Sequence, residues 1–216
     1  KVAKCANSAC TGTTTITTIE ATSVASTGTS IALTDGGIPR VSYIEATSDD
    51  VRIALCSNAA CTSVSGFSGF ASSGTLDQTS LAIRPQNIPA VTFYDSTNGD
   101  LRFTTCFDDL CSSGTISTSP DNTGAVGLYS SLAIAADGRP VVAYYDSTNA
   151  DLKVLKCGNT QCTSNNVVTT IDAIGSVGTR PSLALPPDGA PIISYYDASS
   201  SSLKIFKCAN DACVAP

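Results

Sequence analysis

Ten cysteines stand in five pairs of identical spacing: Cys5 and Cys10, Cys56 and Cys61, Cys106 and Cys111, Cys157 and Cys162, and Cys208 and Cys213. Thiols at that spacing can ligate a metal or oxidise to disulfides. Structural zinc usually takes Cys pairs two to four residues apart and needs four ligands in one place. Here each pair lies a long way from the next, with first members separated by 51, 50, 51 and 51 residues. One pair per unit favours a disulfide between residues facing each other across a hairpin, and repetition selects that pairing over the alternatives. Such a bond is expected to pin the outermost strand of each unit. The chain-entropy model assigns about 2 kcal/mol to each such short loop. Five such pairs also place the chain in an oxidising compartment.

Oxygen ligands form the second candidate chemistry. Asp95, Asn98 and Asp100, and likewise Asp146, Asn149 and Asp151, have spacings similar to those of calcium loops. The set is incomplete in the other two copies, where Asp197 lacks an acidic companion and Glu45 begins a different pattern. An Asx-type turn, in which the side chain caps its own backbone, accounts for the same residues. Calcium is kept as the lesser reading, and no other cofactor is expected.

Catalytic signatures are thin. The chain has no His, which excludes Ser-His-Asp and Cys-His arrangements and imidazole metal sites. Paired carboxylates could serve glycoside hydrolysis, yet the acids recur at equivalent turn positions, as structural residues do. Asp108 and Asp109 depart from that symmetry and read as a solvated tip. Tyr43, Tyr94, Tyr144, Tyr145, Tyr195 and Tyr196 could stack on sugars, but each lies in an apolar run, which favours a core role. No enzyme is expected.

These residues sit on a tandem repeat. SLALPPDGAPIISYYDASSSSLKIFKCANDAC at 182–213 matches SLAIAADGRPVVAYYDSTNADLKVLKCGNTQC at 131–162, with more diverged copies at 80–111 and 30–61. The turn prolines Pro39, Pro89, Pro140 and Pro191 keep the same period. A period near 50 containing short strands is a signature of propeller blades. Each unit reads as four strands. Strand A is the SLAL run, and strand B follows an Asp/Asn-Gly turn and is rich in β-branched and aromatic residues. Strand C leads into the cysteine turn, and strand D is the most variable. The paired aromatics of strand B fall on opposite faces, so both rings are expected to be buried between neighbouring sheets. No stretch carries a helical period.

The strand count has a remainder. The sequence opens with a C and a D strand, continues with three complete units and closes with A, B and C. It therefore holds four A, four B, five C and four D strands. The expected organisation is one domain over 1–216: a half-blade at 1–28, full blades at 29–78, 79–128 and 129–178, and a partial blade at 179–216. Four blades of four strands leave one C strand over. If the N-terminal hairpin of one molecule completes the last blade of the next, the contact is heterologous and builds fibres.

Composition narrows the partners. Lys+Arg is 12 against 18 Asp+Glu, a formal charge of −6, so no basic patch offers itself to nucleic acid. The apolar runs are strand-length, short of the roughly 20 residues a membrane helix needs. A chain opening at Lys1 without methionine reads as processed after secretion.

The repeat SLAL-x-x-(D/N)-G-x-P…YYD…LK…C resembles the extracellular β-propeller repeats of secreted bacterial proteins. The resemblance spans the whole chain and implies an all-β, disulfide-stapled propeller, most simply of four blades, at the cell surface or beyond. It does not specify an activity, since propellers host many. The leading expectation is a structural protein whose partner is another copy of itself. The runner-up is a monomeric lectin- or adhesin-like module that binds cell-surface glycans through one face.

Overall fold

The structure, a computed structural model, describes residues 1–20, 27–45, 47–70 and 76–214. Seventeen strands are found there, all in antiparallel sheets. A two-stranded sheet comes first, β1 (Val2–Lys4) and β2 (Thr15–Thr17). Three four-stranded sheets follow. The first holds β3 (Thr27–Leu33), β4 (Pro39–Glu45), β5 (Asp50–Cys56) and β6 (Val64–Phe70). The second holds β7 (Leu76–Arg84), β8 (Ile88–Asp95), β9 (Asp100–Cys106) and β10 (Thr115–Asp121). The third holds β11 (Val126–Ile134), β12 (Pro140–Asp146), β13 (Asp151–Lys156) and β14 (Val167–Asp172). The last sheet has three strands, β15 (Val177–Ala184), β16 (Ile192–Asp197) and β17 (Ser202–Lys207).

Within each sheet the strands follow chain order, as a meander of hairpins requires. The sheets stack face to face, and the inner strands pack in series, β3 on β7, β7 on β11 and β11 on β15. Because side chains alternate along a strand, a sheet between two others buries both faces, and each seam has its own core. Val51, Ile53 and Phe70 meet Leu81, Val91 and Phe93 at one seam. Leu101 and Phe103 meet Val142 and Tyr144 at the next, and Leu152 and Val154 meet Ile193 and Tyr195 at the third.

Two features depart from the sequence reading. The strands divide into five sheets rather than four, because β1 and β2 complete no other sheet. They lie on the face of the first full sheet, where Val2 and Ile19 cover Val41, Tyr43 and Ala54. The inner strands also begin earlier than the repeat boundaries suggest: β3, β7, β11 and β15 start two or three residues upstream of 29, 79, 129 and 179. Each contains a register shift just before the SLA serine. At that bulge Gly28, Gln78, Tyr129 and Arg180 all have positive φ, between 50° and 57°. The bulge adds one residue per inner strand and tightens its twist; sequence periodicity does not reveal it.

Glycine is required where one bulge meets the neighbouring sheet. At Gly178, with φ of 96°, a Cβ would lie 2.6 Å from the Leu152 Cα. Gly127 stands equally close to Leu101. Three serines then tie the inner strands together. Ser30 accepts from the Leu81 N–H, Ser80 from Leu132 and Ser131 from Leu183, each at 3.0 Å. The fourth serine of this series, Ser182, is exposed on the last inner strand.

Candidate functional site

All ten cysteines are paired within their own turns, Cys5 with Cys10, Cys56 with Cys61, Cys106 with Cys111, Cys157 with Cys162 and Cys208 with Cys213. The Cα atoms of each pair are 4.8 to 4.9 Å apart. Where the bonds lie corrects the sequence reading. The second cysteines do not face the first ones across a hairpin. Cys10, Cys61, Cys111 and Cys162 stop three to five residues short of β2, β6, β10 and β14. The residue paired with Cys56 is Val64 rather than Cys61, and the residue paired with Cys106 is Thr115 rather than Cys111. The cause is a left-handed backbone: φ is 53° at Cys10, 51° at Cys61, 55° at Cys111, 56° at Cys162 and 55° at Cys213. It curls the chain back onto the first sulfur before the outer strand begins, so each bond closes a turn and does not pin strand D. Cys61, Cys162 and Cys213 are buried, Cys111 is half-buried and Cys10 is exposed.

The turn is organised by the residue two after the first cysteine: Asn7, Asn58, Asp108, Asn159 or Asn210. Its backbone carbonyl accepts from the second cysteine's N–H in all five turns. Its side-chain oxygen accepts from the backbone N–H groups two and four residues on. Asp108 therefore keeps the repeat symmetry rather than breaking it as a solvated tip. Donors from Ser113 and Ser112 hold its carboxyl well below the usual carboxylate range. Cys-x-(Asn/Asp) recurs in every copy and could have been read from the sequence.

The calcium candidates are turn residues in the structure. Asp95 accepts from the Thr97 and Asn98 N–H groups and from the Asn98 amide, and Asp146 does the same with Thr148 and Asn149. The Asn side chains thus present N–H, not oxygen, to their aspartates. Asp146 also meets the Lys153 ammonium at 2.7 Å. Asp100 and Asp151 pair with Asp95 and Asp146 across the same hairpins. Partial burial and the charge of Asp146 raise the Asp151 carboxyl. Among the described residues no group of three or more acids or cysteines could hold a metal ion.

The tyrosines divide into two sets. Tyr43, Tyr144 and Tyr195 are buried, and each donates its phenol to an acid at the end of, or just beyond, the outer strand of the preceding sheet. Tyr43 donates to Glu20, Tyr144 to Asp121 at 2.7 Å, and Tyr195 to Asp172 at 2.8 Å. A cation completes each clasp by bridging that acid to the one at the end of the adjacent B strand. Arg52 joins Glu20 to Glu45, Lys153 joins Asp121 to Asp146, and Lys204 joins Asp172 to Asp197. In the second full sheet the tyrosine position is Phe93, which lies in the apolar seam. The position of the acid there is Ala71, outside the described residues. Burial tends to raise the Asp146 carboxyl, but Lys153 and Asn149 outweigh it and hold it low. Asp172 is held low in the same way by the Ile174 N–H, Lys204 and Tyr195. Hydrogen bonds from Lys204 and Ser200 keep Asp197 far below its ordinary value.

Tyr94, Tyr145 and Tyr196 are not buried as the alternation suggested. The first two are half-buried and Tyr196 is exposed. Each lies opposite the residue preceding a bulge, Asp77, Leu128 or Thr179. Tyr129, which the sequence reading passed over, stands with its ring centroid 6.4 Å from that of Tyr145. The Arg180 guanidinium lies 5.1 Å over the Tyr129 ring.

Among the described residues, none covers the outer face of the last sheet. Leu203 and Ile205 are 74% and 70% exposed, whereas the equivalent Leu101, Phe103, Leu152 and Val154 are fully buried. Tyr196 belongs to this face. At the opposite end Ile31 and Leu33, on the first inner strand, are 55% and 59% exposed, while Leu81 and Leu132, equivalent to Ile31, are buried and Ile83 and Ile134, equivalent to Leu33, are half-buried. A groove of about 350 Å³ runs beside the unpaired edge of β17, lined by Thr169, Ile171, Phe206, Cys208 and Val214.

No protein-family model matches this sequence, and no curated protein does either. Solved structures do resemble it. An α-L-arabinofuranosidase from Clostridium thermocellum ATCC 27405 superposes with a TM-score of 0.50 at 8% identity, over 84% of this chain and 68% of its own. The subtype N10 neuraminidase-like protein of A/little yellow-shouldered bat/Guatemala/060/2010 gives 0.47 at 8% identity, over 86% and 59%. The calcium-binding protein regucalcin from Agrobacterium tumefaciens str. C58 gives 0.36 at 9%, over 88% and 76%. At such identities the first likeness is one of architecture alone, and with the stacked four-stranded antiparallel sheets it makes this an all-β, propeller-like fold.

Proposed function

We propose that this protein is an extracellular, non-enzymatic structural subunit that polymerises by completing a partial propeller blade between copies. The observation that carries the reading is the exposure of Leu203 and Ile205 where every equivalent pair is buried. Monomeric proteins seldom leave a contiguous apolar face of this kind uncovered. The occupant is the N-terminal end of a second copy. There β17 takes the place of β1 beside β2, so that β2 becomes the fourth strand of the last sheet and fills the groove at its edge.

One movement then satisfies both ends. Leu203, Ile205 and Tyr196 land on Val41, Tyr43 and the exposed Ile31 and Leu33. Ser182 comes opposite Ile31, the counterpart of the three serine acceptors already seen. The strand displaced, β1, is only three residues long and buries one side chain, Val2, so β17 gains more apolar cover than β1 gives up. Such a contact joins two different surfaces, and it propagates as a filament where its rotation does not close into a ring.

The acids support a structural role. The clasp acids Asp146, Asp172 and Asp197 are each tied to a lysine and held low, which fits residues that join one sheet to the next. Five disulfides fit an oxidising, extracellular setting, and no described helix could cross a membrane. The test is negative-stain microscopy with solution mass on the unreduced protein and on a Leu203→Asp/Ile205→Asp variant. Filaments for the parent and a folded monomer for the variant are expected. A parent that stays a 21.9 kDa monomer, its last sheet closing on its own N-terminal strands, overturns the proposal.

A further inference from the structure

The stretch KVAKCANSAC at 1–10 matches KIFKCANDAC at 204–213 in seven of ten positions, more than it matches any other copy. The structure gives that match a physical sense. β1 pairs with β2 as Val2 with Thr17, Ala3 with Ile16 and Lys4 with Thr15. In the third full sheet β13 pairs with β14 in the equivalent register, Val154 with Thr169, Leu155 with Val168 and Lys156 with Val167. By repeat position Val2, Ala3 and Lys4 correspond to Ile205, Phe206 and Lys207. β1 therefore holds on β2 the place that β17 would take.

It is a weak occupant. β1 makes three pairs with its outer strand where β13 makes five, and its sheet has only two strands, a number that is marginal in water. Val2 is its one buried side chain. Ala3 is too small to cover the residue opposite, and Ile16 is left 64% exposed. The turn beyond is not packed in either: Cys10 is exposed, whereas Cys61, Cys162 and Cys213 are buried. β17 instead arrives as the third strand of a formed sheet, with isoleucine for valine and phenylalanine for alanine. Phe206 lines the groove beside its unpaired edge, and the shared register brings Ile16 to that groove.

We infer that β1 is an autoinhibitory placeholder, a shortened copy of β17 that covers β2 in the free subunit and is displaced by β17 of another copy. The inference rests on the polymerisation proposed above and supplies its control. Assembly is then the exchange of one strand for a better one, and a free subunit does not present β2 as an open edge. The rate is set by how firmly residues 2–4 hold, and the small side chains of Val2 and Ala3 keep that hold weak enough for exchange.

The experiment compares three forms of the unreduced full chain: the parent, Val2→Asp, which loosens β1, and Val2→Ile/Ala3→Phe, which gives β1 the side chains of β17. Followed by light scattering, filament growth should be about tenfold faster for the first variant and about tenfold slower for the second. The same three N-terminal sequences in the Leu203→Asp/Ile205→Asp background read strand exchange without growth. There a fluorescent, disulfide-closed peptide of residues 202–213 should bind about tenfold tighter after Val2→Asp and about tenfold weaker after Val2→Ile/Ala3→Phe, by anisotropy. Equal growth or equal peptide affinity across the three forms overturns the placeholder, while filaments of the parent leave polymerisation standing. Filaments from none of the three overturn polymerisation and the placeholder with it. If Val2→Asp melts well below the parent, Val2→Ile/Ala3→Phe, which only adds apolar surface, decides: growth as fast as the parent's overturns the inference.

Discussion

Tyr144 donates its phenol proton to Asp121 across the seam between the second and third full sheets, and both groups are buried. The pair is separated by 23 residues, as is Tyr195 from Asp172. Removing one member strands the other. Tyr144→Phe leaves a buried carboxylate with Lys153 at 3.7 Å, and should cost about 2–3 kcal/mol. Adding Asp121→Ala should restore part of that loss, because the Ala71/Phe93 combination already stands at the corresponding place in sequence. Urea unfolding of the two single variants and the double variant gives the coupling.

The clasps set the pH range of the fold. Burial, then the hydrogen bond to Asp172, pushes the Tyr195 phenol up to about 12. Its contribution is complete below the unfolded value of about 10 and disappears as the phenol ionises toward pH 12. Asp146 and Asp172 are shifted down, so their contribution is present above about pH 4 and lost as the pH falls. Melting temperature should form a plateau from about pH 5 to about pH 9. Tyr195→Phe should remove part of the alkaline decline without moving the acid limb contributed by Asp146.

The cysteine turns supply a second pH test. Asp108 is held low by its turn donors, so its contribution falls away in acid. Asp108→Asn should preserve stability at pH 7, since Asn fills the same place in the other four turns, and should flatten the acid decline. Asn159→Ala should cost about 1–2 kcal/mol by leaving two backbone N–H groups without their acceptor. Thermal melts of both variants at several pH values decide.

Gly178 admits no side chain. Its φ is 96° and the Leu152 backbone is in the way, so Gly178→Ala combines left-handed strain with overpacking and should cost roughly 3 kcal/mol. The same substitution at Gly189, also at positive φ but with open space around it, should cost about 1 kcal/mol. Chemical denaturation separates close approach from conformation alone.

In the proposed assembly, polarity of growth follows from the two different ends. The Leu203→Asp/Ile205→Asp variant keeps its N-terminal hairpin, so it should add to a growing filament and stop it. A few per cent of variant mixed into parent protein should shorten filaments measurably by microscopy. An unchanged length distribution would mean that the last sheet's face is not the growing surface.

Much of this architecture was legible because repetition makes weak signals add. One Cys-x4-Cys is ambiguous, whereas five at a constant period identify a turn, and the B and C strands are written in β-branched and aromatic residues. Spacing alone could not say that Cys61 and Cys111 curl back inside the turn instead of opening the next strand, because that depends on one left-handed φ. The bulge was hidden in the same way, since its left-handed residue is Gln, Tyr or Arg in three copies. The half-exposure of Tyr94 and Tyr145, which lie opposite the residues before it, was missed as well. The clasps escaped for another reason. Their acids sit at the ends of the variable D strands, 23 residues before the tyrosine they meet, and only the fold brings Asp172 to Tyr195. The hairpin of β1 and β2 was counted correctly, but strand counting could not say that within one chain it covers the face of the first full sheet.

The disulfides close loops of six residues and never join one sheet to another. Between sheets the covalent path is a single backbone. Under tension from its ends, such a chain can yield one repeat at a time, each releasing roughly 160 Å of contour at about 3.5 Å per residue while its staple keeps the turn closed. A chain stapled in this way would lengthen in discrete steps under load and keep every cysteine turn closed throughout.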